Sequence, residues 1–96
     1  MDSRVETEEV RALCKVIADL ADDKEASSFL EDLCTVKEIQ ELAQRLQVAR
    51  MLDAGAPYTA ISEKTGASAT TIARVSKALN YGAGGYRHVI DKLGEL

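Results

Sequence analysis

The chain has 96 residues, about one small domain, and its 46% hydrophobic and 29% charged residues are typical of a globular protein. No stretch approaches the roughly 18 apolar residues of a membrane span. The acidic N-terminus lacks the apolar core of a signal peptide, so we expect a cytoplasmic protein with no membrane contact. Strong helix formers dominate and no alternating β-branched run occurs, so the expected fold class is all-α.

Two amphipathic helices are predicted first. One spans about 4–21, begins at a Ser3–Glu6 capping box, and repeats apolar residues at helical spacing. The next spans about 24–34, and Phe29 is expected in the core.

The two cysteines, Cys14 and Cys34, lie on the apolar faces of these helices. We expect them to be buried, reduced thiols. A disulfide or a metal site would need better spacing and more partners.

The third helix has the clearest ends. Thr35 and Glu38 form a second capping box at its start. Gly55 suits a left-handed cap at its end, and Pro57 prevents its continuation, so the helix is about 19 residues long.

A helix-turn-helix is predicted at 58–80. Its two helices span about 59–65 and 69–80, with Gly66 in the turn and Ser68 as the cap of the second helix. After a glycine-rich break, a C-terminal helix is expected within 86–96.

The second helix of this motif has two faces. At 100° per residue, Ile72, Val75 and Leu79 fall together as a core face. The opposite face offers hydroxyls and cations, which suit base edges and phosphates. The residues expected to contact DNA are Lys64, Ser68, Ala69, Thr70, Thr71, Ala73, Arg74 and Lys77.

Charge is distributed unevenly along the chain. The net charge of −4 argues against nucleic acid at first sight. However, residues 1–56 carry seven Lys and Arg against thirteen Asp and Glu, whereas residues 57–96 carry five against three. This fits a DNA-facing module on an acidic body, although an ordinary helical hairpin with a solvated polar face would look similar.

The sequence Gly-Ala-Ser-Ala-Thr-Thr-Ile-Ala-Arg-Val-Ser-Lys-Ala-Leu at 66–79 closely resembles the recognition segment of the Trp repressor family. Leu-Ala-Gln-Arg at 42–45 resembles the helix before that family's reading head, and the order of six helices agrees. Within the family the chain is most similar to the YerC/YecD group. The resemblance implies one domain over 1–96 and an intertwined homodimer built on helices within 1–56. It also implies a bacterial transcriptional regulator, expected to be a repressor, that binds a palindromic operator in double-stranded DNA.

The resemblance also implies a ligand pocket. The family's namesake holds tryptophan between two arginines, which correspond to Arg45 and Arg74 here, and Thr35 matches a threonine of that pocket. Two positions depart: Val75 replaces a glycine that leaves room for the ligand, and Ala78 replaces a serine that hydrogen-bonds it. We therefore expect that tryptophan is not the effector. The two arginines either hold another small anion or bind no ligand, and Arg74 alternatively contacts DNA phosphate.

Enzyme activity is not expected. The sequence has no evident nucleophile–base pair, phosphate-binding glycine loop or metal-ligand cluster, and the one histidine, His88, is expected to be a surface or partly packed residue. We therefore predict no cofactor and no metal. The alternative function is a helix-turn-helix scaffold that binds protein rather than DNA, because the acidic N-terminal half could engage a basic partner.

Overall fold

A computed structural model describes residues 1–94 of the protein. All regular secondary structure in this part of the chain is α-helical. The helices of this part of the chain are α1 Glu8–Asp19, α2 Asp23–Leu33, α3 Val36–Asp53, α4 Tyr58–Thr65, α5 Ala69–Tyr81 and α6 Gly85–Leu93. None of them is both long and apolar enough to cross a membrane. The chain divides into two compact units, Met1–Ile39 and Gln40–Leu96. The C-terminal segment predicted at 86–96 ends with two residues, 95 and 96, that lie outside the described part.

The first helix starts later than predicted. Helix α1 begins at Glu8, and the Thr7 hydroxyl caps it by accepting a hydrogen bond from the Val10 N–H at 3.2 Å. The capping box predicted between Ser3 and Glu6 is therefore wrong. The Thr7 cap brings two acidic residues into the first turn, where the helix dipole favours negative charge.

The apolar faces of α1 and α2 are only partly covered in the single chain. Neither helix buries a residue, and Phe29 is only half-buried. Cys14 is exposed and Cys34 is half-buried, so the prediction of two buried thiols is wrong for the single chain. An amphipathic helix buries its apolar stripe only where another element packs on it.

Helix α3 begins with the predicted capping box. The Glu38 N–H donates to the Thr35 hydroxyl at 3.1 Å, and the Thr35 N–H donates to the Glu38 carboxylate at 2.8 Å. This backbone hydrogen bond holds the pKa of Glu38 below its ordinary value, because it stabilises the charged form. Past the last turn of α3, Gly55 adopts the left-handed conformation that was predicted, with φ of +85°.

The core of the unit Gln40–Leu96 joins α3, α4 and α5. The buried side chains of this cluster are Val48, Ala49, Ile61, Ala67, Ile72 and Val75. The core face predicted for α5 is thus confirmed, and Ile61 of α4 packs in the same cluster. Helix α5 also packs against α6, which contributes Tyr86 and Ile90 to the edge of the core. Helix α3 is therefore the platform on which the helix-turn-helix rests.

Candidate nucleic-acid interface

Helices α4 and α5 are joined by the short turn Gly66–Ala67–Ser68. Gly66 has a φ of +75°, and its N–H donates to the Ser62 carbonyl at 2.9 Å, which ends α4. A glycine adopts this left-handed conformation without the steric cost that a Cβ would bring. The helix-turn-helix predicted at 58–80 is therefore present, with α4 and α5 within one residue of their predicted ends.

Side chains hold this turn in place. The Ser62 hydroxyl donates to the Ala67 carbonyl at 2.9 Å. The Thr65 hydroxyl donates to the Ile61 carbonyl at 2.7 Å and accepts from the Ala67 N–H at 3.1 Å. From α3, the Gln44 side-chain amide donates to the Thr65 carbonyl at 3.0 Å. Gln44 lies in the segment 42–45 that resembles the family, but no local spacing predicts its contact with Thr65, because 21 positions separate the two residues.

The N-terminus of α5 is capped as predicted. The Ser68 hydroxyl accepts from the Thr71 N–H and donates to the Thr71 hydroxyl, both at 3.1 Å. The cap uses the Ser68 oxygen as an acceptor, so it persists even if the Ser68 hydroxyl hydrogen turns from Thr71 to a phosphate oxygen.

Helix α5 has the two faces that its sequence predicts. Ile72, Val75 and Leu79 are 0%, 2% and 8% exposed and belong to the buried side. Of the residues expected to contact DNA, all but one are exposed: Lys64, Ser68, Ala69, Thr70, Ala73, Arg74 and Lys77. Thr71 is half-buried.

The two arginines implied as a ligand clamp meet at one polar cleft of about 260 Å³ between α3 and α5. Its lining consists of Glu41, Gln44, Arg45, Thr71 and Arg74. Arg45 is half-buried, whereas Arg74 is exposed. The cleft thus holds two cations and one carboxylate, which suits a small anion better than an apolar ligand.

A second cavity, of about 450 Å³, is apolar. Helices α3, α5 and α6 and the segment before α6 contribute Leu46, Ala78, Ala83, Gly85, Tyr86 and Val89 to its walls. The Val89 side chain is 38% exposed, so this cavity opens to the surface of the single chain.

Sequence comparison assigns the family. The model of the family described as Trp repressor protein matches residues 8–94. The chain belongs to the Trp repressor family. Proteins of this family are DNA-binding regulators, usually dimers, and not enzymes.

Similar proteins align in sequence or superpose in structure over nearly the whole chain. The uncharacterised protein YerC of Bacillus subtilis (strain 168) is 48% identical over 87 residues, which are 91% of this chain and 84% of YerC. The crystal structure of a TrpR-like protein from Eubacterium eligens ATCC 27750 superposes with a TM-score of 0.93 at 46% identity, covering 99% of this chain and 98% of that one. A Staphylococcus aureus protein described as a candidate Trp repressor superposes with a TM-score of 0.91 at 38% identity, covering 97% and 94%. The six-helix Trp-repressor-like fold is thus confirmed.

The positions that depart from the family's tryptophan pocket lie apart from the polar cleft. Val75 is 2% exposed within the core of α3, α4 and α5, and Ala78 lines the apolar cavity. Thr35, the third residue of the implied pocket, caps α3 in the N-terminal unit. Of the implied pocket residues within the unit Gln40–Leu96, the structure brings together Arg45 and Arg74.

The structure also places the histidine and the metal-ligating residue types of the described residues. His88 is exposed on α6. Within residues 1–94, no group of three or more His, Cys, Asp or Glu residues could hold a metal ion. What the interface presents is hydroxyls, small side chains and cations on one helix.

Proposed function

We propose that this protein is a sequence-specific DNA-binding transcriptional regulator that reads an operator with α5. The observation that carries the proposal is the division of α5 into a core face and an exposed face with Thr70, Arg74 and Lys77. The core face anchors the helix to α3 and α4, so the exposed face is presented by a rigid support. Membership of a family of DNA-binding regulators supports the same function.

The exposed residues divide by chemistry into two groups. Ala69, Thr70 and Ala73 have short side chains, which allow close approach of α5 to base edges in the major groove. The cations Lys64, Arg74 and Lys77 suit phosphates, whose neutralisation releases counterions. Ser68 and Thr71 are joined by hydrogen bonds, so we assign them to shaping the N-terminus of α5 and, through Thr71, to a contact at the edge of the groove.

We further propose a homodimer in which the helices within 1–56 are the dimerisation part. The single chain leaves large apolar side chains uncovered, with Ile17, Leu33 and Val36 exposed to 54%, 52% and 72%. Burying such surface stabilises by roughly 25 cal/mol per Å². A second copy supplies the same surface, as symmetric interfaces require. Two reading heads about 34 Å apart would then match a palindromic operator.

Three further features follow from this function. A protein that binds the chromosome of a bacterium works in the cytoplasm, and repression is the expected effect where the operator overlaps a promoter. The polar cleft, where Arg45 and Arg74 lie beside Glu41, accommodates a small anion as effector. That this effector is not tryptophan is a separate inference, drawn from Val75 and Ala78, which replace the family's ligand-binding glycine and serine.

Selection of bound duplexes from a random DNA library by the purified protein tests the function. We expect an enriched palindrome and an affinity that falls steeply with salt. Arg74→Ala should reduce the slope of log K against log salt by about one for each protomer on the DNA. Thr70→Ala should change the preferred bases and leave the slope unaltered.

The control for charge is Lys92→Ala on α6, which removes an exposed cation outside both the DNA interface and the dimerisation part, and it should leave both slope and sequence preference unchanged. If the protein enriches no sequence and binds no DNA at low salt, the function is wrong. The acidic N-terminal unit would then favour a module that binds another protein.

A further inference from the structure

The end of α4 depends on a residue of another helix. The last carbonyls of an α-helix have no partner within the helix, and a partner from elsewhere must satisfy them. At α4 the carbonyl of Thr65, the last helical residue, accepts from the Gln44 side-chain amide at 3.0 Å. Gln44 itself is half-buried on α3, the helix that supports α4 and α5.

The apolar contacts of α3 with α4 and α5 hold these helices together but do little to fix their orientation. Val48 and Ala49 of α3 pack against Ile61, Ile72 and Val75. Hydrophobic contact is non-directional, so it holds the helices together while small rotations of one helix on another cost little free energy. A hydrogen bond prefers a narrow range of distance and angle, and this one joins α3 to the residue that precedes the turn.

The turn transmits this restraint to the recognition helix. The Thr65 hydroxyl accepts from the Ala67 N–H, and the Ala67 carbonyl accepts from the Ser62 hydroxyl. Both backbone polar groups of Ala67 are therefore hydrogen-bonded to side chains of α4. Ser68, the next residue, caps α5. A displacement at Thr65 therefore moves the start of α5.

We propose that Gln44 is a positioning residue for sequence-specific DNA recognition, setting the orientation of α5 through the Thr65 carbonyl. The proposal rests on the DNA-reading function. Base contacts require side chains placed within about 0.5 Å and 10–20° of their productive geometry, whereas phosphate contacts by long flexible cations tolerate more. Gln44 therefore affects how strongly the protein prefers its operator over other DNA, although it does not contact DNA itself.

The test compares Gln44→Met with Gln47→Met. Methionine matches the length of glutamine and cannot donate to Thr65. Gln47 lies on the same helix and is exposed. Gln47→Met is therefore the matched control, because it makes the same substitution on α3. Affinity is measured by fluorescence anisotropy for the duplex obtained by selection and for a scrambled duplex. Amide hydrogen exchange is measured by NMR without DNA.

We expect Gln44→Met to weaken binding to the selected duplex about five- to tenfold, the typical effect of losing one hydrogen bond. Binding to the scrambled duplex should change less than about twofold, and the salt slope should stay the same. Exchange at the Ala67 N–H should accelerate, while exchange at the Ile72 N–H, which lies in the first turns of α5, should not. Gln47→Met should leave every quantity unchanged.

Equal losses on both duplexes, uniform acceleration of all core amides, or no change at Ala67 would each overturn the proposal. The exchange measurement needs no DNA, so it separates this proposal from the function. A wild-type protein that binds no DNA would refute the function, while exchange at Ala67 would still report whether Gln44 holds the turn.

Discussion

Replacing Gly66 by alanine isolates the energetic cost of the left-handed turn. Its φ is +75°, and a Cβ at this position would meet only the Gln44 side-chain nitrogen, at an ordinary van der Waals distance of 4.0 Å. The cost therefore comes from backbone conformation and not from crowding. An L-residue in this conformation costs roughly 1–2 kcal/mol. The smaller entropy of the unfolded alanine chain offsets part of it, which leaves a net loss of about 1 kcal/mol.

Thermal unfolding followed by circular dichroism, at one fixed protein concentration, measures this effect. For a domain of this size a loss of 1 kcal/mol lowers Tm by about 4–8 °C. Gly66→Asn should lose less, because asparagine tolerates the left-handed region. Gly85→Ala is the control, since Gly85 has no positive φ and nothing lies within 4 Å of its added Cβ. An unchanged Tm for Gly66→Ala would refute the reasoning, and equal losses for Ala and Asn would show that crowding matters.

Two other predictions concern the dimer and the cap of α3. Ile17→Asp should raise the dimer dissociation constant at least about tenfold in sedimentation equilibrium, because the proposed partner copy covers this side chain and an unpaired charge is costly to bury. Glu38→Gln should flatten the loss of stability on acidification from about pH 5 to pH 3, measured by urea unfolding. The Thr35 N–H lowers the pKa of Glu38 in the folded state, so its contribution is present above the ordinary pKa and lost as pH falls through the lowered one. The change should be small because this carboxylate is exposed to solvent.

Each of these variants has a matched control. Ala12→Asp places the same charge on the opposite side of α1, and it should leave the dimer intact. A similar rise in both dissociation constants, or in neither, would contradict the assignment of the apolar stripe to the dimer. Glu31→Gln removes an exposed carboxylate of α2. If it flattens the pH dependence as much as Glu38→Gln does, the capping argument is wrong.

The errors at the N-terminus show where local pattern is insufficient. Ser3 and Thr7 are both good capping residues, only four positions apart, and their sequence context does not decide which one starts α1. Burial of Cys14 was also predicted from its place on an apolar stripe. Periodicity identifies the face of a helix that prefers burial, but the covering element has to come from elsewhere, and in the single chain no residue of this stripe is fully buried.

The sequence by itself determined the features whose partners lie within about one helical turn. These are the Thr35–Glu38 box, the Gly66 turn, the Ser68 cap and the two faces of α5. Capping hydrogen bonds join residues three or four positions apart, and the helical period is 3.6 residues. Both therefore depend only on residues that are neighbours in sequence. The meeting of Arg45 with Arg74 was implied by family resemblance and not by spacing. Tertiary structure alone decided that Gln44 reaches Thr65, because that contact depends on how α3 packs against α4 and α5.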